Sequence, residues 1–346
     1  MRRNGSRPSP QQLNQIITVS ALLMAALFLL PLLTASPATP APPEPEEEPV
    51  DMPEPPAPFT SGSLDSARPL RVLDGENVLE MDLGEYLLGV VRAEMPAAFE
   101  PEALKAQTTA ARTYTLYKLQ TGGNHGETAD ICTNPACCQA YISEEQARTN
   151  WGENADAYET KIETAVKETD GQTILYGGVP ILAVFHSSSA GLTRAAGAVW
   201  VNDLPYLQAV SSPEAGDQIP NYYSRVEFTP EELKQKLLAA FPEADLSGGM
   251  SSWLRAAERD SAGSIVTASA GGVTVKGTQL RTALGLRSAC FTWEEEGGKM
   301  VFFVTGYGHG VGLSQYGANQ MALDGADYQE ILTHYYSGIT IEPYPA

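Results

Sequence analysis

Glu94 closes a run, Leu83–Ala93, in which Leu83, Leu87, Val90 and Val91 recur at helical spacing, and Met95-Pro96 follows it. A carboxylate among apolar groups has its charged form disfavoured, so its pKa rises and it can act as a general acid near neutral pH. A glutamate in the last turn of a helix can equally point into solvent. Lys105 and Arg112 lie seven positions apart among Ala103, Ala106, Ala110 and Ala111. That spacing puts both cations on one helix face, two turns apart. They would clamp a carboxylate or pair with Glu94, or else lie along the surface as ordinary cations.

His125, Cys132, Cys137 and Cys138 fall within 14 residues. Three thiolates and an imidazole are zinc ligands by type, and four of them close a tetrahedral structural site. A disulfide is the rival, although two adjacent cysteines make a single bridge awkward. Cys290 stands alone in a strand pattern and reads as a core residue.

Two histidine motifs follow buried-strand patterns. His186-Ser187-Ser188-Ser189-Ala190-Gly191 offers a serine near a histidine, but no G-x-S-x-G elbow. A serine-rich loop that hydrogen-bonds hydroxyl groups fits as well. Gly308-His309-Gly310-Val311-Gly312-Leu313-Ser314-Gln315-Tyr316-Gly317 carries glycines that let backbone approach a ligand or another loop closely. His334, in a terminal helix, reads as structural.

Positioning these groups takes a mixture of hairpins and helices. Arg71–Leu73 and Val78–Met81 flank the turn Asp74-Gly75-Glu76-Asn77. Asp82 caps the helix that ends at Glu94, and Pro101 opens a second helix running to about Gln120. One helix is expected over about 143–169, and a strand buried on both faces at Val179–His186. Thr229-Pro230 opens another helix. A tryptophan-containing helix and the hairpin-like IVTASAGGVTV follow, and the strand Val301–Thr305 leads into the second histidine motif. Two helices close the chain, near 315–323 and 328–336. The fold class is α+β, a mixed α/β domain, and residues about 210–300 form a possible second lobe.

The 346 residues hold 22 basic and 42 acidic side chains, a net charge of −20. That balance excludes a typical nucleic-acid binder. Residues 16–33 are 18 uncharged, mostly apolar residues preceded by Arg2, Arg3 and Arg7, with no further base until Arg68. A transmembrane anchor over 1–35 with the N-terminus in the cytoplasm is the expectation, with a cleaved signal peptide as the alternative. Residues 36–60 hold ten prolines and six acidic residues, the composition of an extended disordered linker. The folded part is then 61–346, outside the membrane.

The runs Gly84-Glu85-Tyr86-Leu87…Glu94-Met95-Pro96 and Ala103-Leu104-Lys105-Ala106-Gln107…Ala110-Ala111-Arg112-Thr113-Tyr114 come first. Phe185-His186-Ser187-Ser188 and the glycine-rich motif through Ala318 follow, and in that order all four resemble the SpoIID/LytB-type domain family. The resemblance spans about 66–340 and implies a SpoIID-like catalytic unit of two lobes. It implies a lytic transglycosylase that cuts peptidoglycan glycan strands stripped of stem peptides, during spore engulfment. Glu94 would be its general acid and base, and Lys105 and Arg112 its helix cations. Tyr114, His186, Ser187, Ser188, His309, Gln315 and Tyr316 would supply substrate contacts. It also implies a loop zinc site, here with Cys137 in place of a second histidine. An amidase and a membrane scaffold are the implied partners, and the intermembrane space of the sporangium the implied location. The competing expectation is a non-catalytic glycan-binding module that stimulates a cell-wall amidase. A zinc hydrolase would need an open coordination position, which four protein ligands do not leave.

Overall fold

A computed structural model describes residues 63–122, 125–200, 202–214 and 216–344. The expected anchor and linker lie outside the described residues, and no described helix is long and apolar enough to cross a membrane.

The expected hairpin forms from β1 (Pro69–Asp74) and β2 (Asn77–Asp82), with Asp74 opposite Asn77. Asp82 caps α1 (Leu83–Glu94) in a reciprocal box. The Glu85 amide donates to its carboxylate at 2.9 Å, and its own amide donates to Glu85 Oε2 at 3.0 Å. The helix stops at Met95, as the following proline requires. α2 (Pro101–Gln120) starts on its proline. β3 (Ile131–Cys132) runs parallel to β1 and brings the cysteine loop beside the hairpin.

The single helix expected over 143–169 is two. α3 (Glu144–Trp151) ends at Gly152, whose φ of 58° a helix cannot contain, and α4 (Ala155–Glu168) starts after one 3₁₀ turn. β4 (Gln172–Tyr176) follows. The continuous strand expected at Val179–His186 is also two pieces, β5 (Val179–Pro180) and β6 (Phe185–His186). Between them Ala183 and Val184 donate to Ile181 and Leu182, two residues back, at 2.9 Å. Those local turns take up bonds that a ladder would have used.

β7 (Tyr223–Phe228), α5 (Pro230–Ala240), β8 (Leu254–Arg259), β9 (Ile265–Ala270), β10 (Val273–Lys276), α6 (Gly277–Leu284), β11 (Phe291–Glu296) and β12 (Lys299–Thr305) follow. The expected tryptophan-containing helix is only a 3₁₀ turn, Met250–Ser252, before Trp253. These elements share an apolar core that includes Leu233, Leu237, Phe291 and Phe302. β13 (Leu313–Ser314), α7 (Gln315–Leu323), α8 (Tyr328–Tyr335) and β14 (Thr340–Pro343) complete the mixed α/β architecture of small sheets.

α2 is central, packed against α1, α4, α7 and α8. Its alanines permit that crowding, since a helix contacted on several sides has room only for small residues. Its buried threonines 108, 109, 113 and 115 each donate to the carbonyl four residues back, at 2.7–2.9 Å. That bond is what allows hydroxyls inside a buried helix.

Candidate active site

Parallel pairing sets Phe185 opposite Leu313 and His186 opposite Ser314, so the two histidine motifs lie side by side. Ser188 and Tyr307 exchange backbone bonds at 3.0 and 2.8 Å, and the Tyr316 amide donates to Ser187 at 3.0 Å. Gly308 holds φ at 120°, and a Cβ there would lie 2.6 Å from the His186 Cβ. Only glycine permits that approach. The paired motifs and the end of α1 enclose a cleft of about 670 Å³, within the usual range for a ligand site.

Glu94 lines this cleft with His186, Ser187, Gln315 and Tyr316. It is the only carboxylate among the described residues of the wall. Burial raises its pKa above the ordinary value, and the hydrogen bond from the Ala140 amide to Oε1, at 2.7 Å, offsets part of that rise. The carboxylate is therefore held in place by one backbone donor, and among the described residues no cation is paired to it.

His186 and His309 are both neutral, their pKa values lowered by burial to about 3 and about 4. The His186 Nδ1 lies 3.2 Å from the Val311 carbonyl, which can only accept, so Nδ1 carries the proton. Its Nε2 is then a lone-pair acceptor, buried and without a hydrogen-bond partner among the described residues. His309 takes the other tautomer, its Nδ1 accepting from the Val311 amide at 3.0 Å.

Five of the expected substrate contacts lie elsewhere. Arg112 is fully buried and grips Asp65 through Nε at 2.8 Å and Nη2 at 2.6 Å. Nη1 donates to Gln172 at 3.1 Å. Lys105 is bound by Glu102 at 2.7 Å and Glu168 at 2.6 Å. Helix spacing did put both cations on one face, but both are engaged in ion pairs and neither lines the cleft. Tyr114 lies against the thiols, with its hydroxyl 3.5 Å from the Cys137 carbonyl. The Ser188 side chain is buried, and His309 packs behind His186, 5.6 Å between rings and 5.4 Å from Trp200.

His125 Nε2 sits 3.5 Å from the Cys137 sulfur and 3.6 Å from that of Cys138, and the two sulfurs are 3.7 Å apart. With Cys132 included, all four donor atoms fall within 4.8 Å of one another. A tetrahedron with metal–sulfur bonds of about 2.3 Å has edges of roughly 3.8 Å, so the cluster has the size of a metal site. It is too open for a disulfide, whose sulfurs sit about 2.05 Å apart. Cys290 is a free thiol whose sulfur lies 3.6 Å from the Ala262 carbonyl.

The cysteine loop leads directly to Ala140, the donor to Glu94. Gln139 donates to Thr115 at 3.0 Å, and the Ile142 amide donates to Gly89 at 3.1 Å. Tyr141 stacks on Tyr86 with ring centres 5.9 Å apart. A Cβ at Gly89 would lie 2.1 Å from the Tyr141 ring. Helix propensity favours Gly89→Ala by about 1 kcal/mol, whereas overpacking costs about 1–3 kcal/mol. We expect the clash to win: thermal melting should show a lower melting temperature, and the displaced loop should lower activity. A more stable variant would contradict this packing.

Sequence reading missed the Ala140 donor, and it missed Tyr307 and Trp151 in the cleft wall. It also missed Glu214, whose Oε1 accepts from the Ser189 amide at 2.8 Å and the Ser314 hydroxyl at 2.5 Å, fastening one histidine motif to the other. The only available signal was the aromatic residue Tyr307, immediately before the glycine motif.

The model of the SpoIID family, stage II sporulation protein, matches residues 74–176. The chain is 36% identical over 274 residues to stage II sporulation protein D of Bacillus amyloliquefaciens, covering 79% of this chain and 78% of that protein. It is 37% identical over 268 residues to stage II sporulation protein D of Bacillus subtilis, covering 77% and 76%. An amidase enhancer of Bacillus subtilis is 28% identical over 305 residues, covering 75% of this chain and 40% of that protein.

Proposed function

The chain belongs to the stage II sporulation protein D family, and from that premise we propose that it is a lytic transglycosylase acting on peptide-stripped peptidoglycan strands. The observation that carries the reading is the single carboxylate among the described residues of the cleft wall. A hydrolase of glycosidic bonds ordinarily uses two carboxyl groups, one of them to activate water or attack the sugar. A lytic transglycosylase needs one. Glu94, whose pKa burial raises, gives its proton to the glycosidic oxygen. As carboxylate it then takes the proton from the C6 hydroxyl of the same muramic acid, whose oxygen closes on C1 as a 1,6-anhydro ring. The Ala140 amide steadies the carboxylate through both steps. The His186 Nε2 acceptor suits a sugar hydroxyl or an acetamido N–H.

The experiment is chain-length analysis of peptide-free strands incubated with the full-length protein and with Glu94→Gln. Shortening by the first alone is expected. Strands of unchanged length with both would favour the second reading, a glycan-binding module that stimulates a cell-wall amidase. The relative that carries the name amidase enhancer is what supports that alternative.

The ligand set fits a structural zinc. It would hold the loop between Cys132 and Ala140 and so keep the donor to Glu94 in place. We expect about one zinc per chain by atomic absorption, and almost none in Cys138→Ser. That variant should melt roughly 5–10 °C lower, equivalent to a few kcal/mol. An unchanged melting temperature after metal loss would contradict a structural role.

The N-terminal apolar segment supports a single-pass membrane protein with its folded domain outside the cytoplasm. An amidase and a membrane scaffold complete the reading as partners.

A further inference from the structure

We infer that Arg287, held against the Tyr307 ring at the edge of the cleft, binds the carboxylate of the substrate. The inference rests on the glycan reading and names what the site selects, the free lactyl carboxylate of a muramic acid that has lost its stem peptide. The cations first expected to do this are engaged elsewhere, Arg112 by Asp65 and Lys105 by Glu102 and Glu168. Arg92 lines the cleft but is taken by Glu159, its Nε 3.0 Å from Oε2.

Arg281 and Arg287 remain. Among the described residues neither makes an ion pair, in a chain with 42 acidic residues against 22 basic. The backbone ties Arg287 to the cleft, for its carbonyl accepts from the amide of Gly308, a wall residue, at 3.0 Å. Arg281 Nε donates to the same carbonyl at 3.1 Å. The Arg287 guanidinium lies 5.0 Å from the centre of the Tyr307 ring, and Tyr307 is a wall residue that is 47% exposed. A guanidinium over the face of an aromatic ring is steadied by the ring's negative charge, and its N–H donors can still take a carboxylate through two parallel bonds. Arg281, half-buried beside Tyr307, adds positive field there.

The test measures binding to the full-length protein in a Glu94→Gln background, which keeps the strands intact. Peptide-free strands are compared with the same strands after their carboxyl groups are capped as methylamides. We expect the uncapped strands to bind about tenfold more tightly, the scale of one charge-assisted contact. Arg287→Gln should abolish that preference without weakening binding of the capped strands, and Arg287→Lys should restore part of it. Melting temperatures should match throughout, because the side chain is only half-buried and makes no side-chain hydrogen bond among the described residues. Equal binding of both strand forms, or a preference unaffected by Arg287→Gln, would overturn the inference alone. Binding of neither form would sink the glycan reading with it.

Discussion

Glu94→Gln is expected to lower strand cleavage by about 10²–10⁴-fold, the usual range for losing a general acid–base group. The fold should survive, because the amide oxygen of glutamine can still accept the Ala140 N–H. The same variant carries a stability signature with a definite sign. Burial raises the Glu94 pKa above its ordinary 4.5, so the native state holds its proton over a range where the unfolded chain has lost it. Below 4.5 both states are protonated and the site has no effect on stability. Above 4.5 the unfolded state ionises first, and native stability declines until the pH passes the raised value. The glutamine of the variant does not titrate. The melting temperature of Glu94→Gln relative to wild type should therefore increase as pH rises through that window and then level off. In activity, the wild type should lose rate as pH rises through the same raised value. A glutamate facing solvent at a helix end would give neither effect, so parallel melting curves across pH would contradict the buried setting.

Arg112→Gln should destabilise the protein by about 3–5 kcal/mol, the cost of removing one partner of a buried ion pair. In a domain of this size that is a fall in melting temperature on the order of 10 °C. Arg112 and Asp65 are 0% and 1% exposed in their side chains, so the substitution strands a carboxylate with no water to solvate it. Among the described residues the Asp65 carboxylate accepts from no other cation, while its own amide donates to Asp170 at 2.9 Å. The ion pair and that amide bond thus fasten the first described residues of the domain to α2 and to the turn after α4. Replacing both partners with apolar side chains should cost less than the sum of the single changes, which a double-mutant cycle measures. A cation that held substrate would behave oppositely, with normal melting and a raised KM. That pattern would return Arg112 to the role its sequence spacing suggested.

Local signals were the legible ones. The Asp82–Glu85 box, the prolines opening α2 and α5, and the hairpin turn each act within a few residues, and the elements form where those residues stand. The metal-type cluster was legible by ligand type, and inter-sulfur distance separates it from a disulfide. Gly152 was visible but its φ was not, so one expected helix became two. Direction was the harder matter. α2 has small or hydroxyl residues on several faces, and no apolar stripe distinguishes its buried side. Spacing alone could not tell that Lys105 and Arg112 are engaged by Glu102, Glu168 and Asp65 and do not line the cleft. The pairings that matter most join distant segments: Asp65 with Arg112, Ala140 with Glu94, and Arg287 with Tyr307. Only the tertiary fold creates them.

Whether one carboxylic acid cuts the glycan without external water shows in the chemistry of the new strand ends. Peptide-free strands incubated with the full-length protein would be analysed by mass spectrometry, beside the Glu94→Gln control. Ends in 1,6-anhydromuramic acid are expected, each lighter than a reducing end by one water, and none in the control. Reducing ends, or anhydro ends that persist in Glu94→Gln, would contradict it.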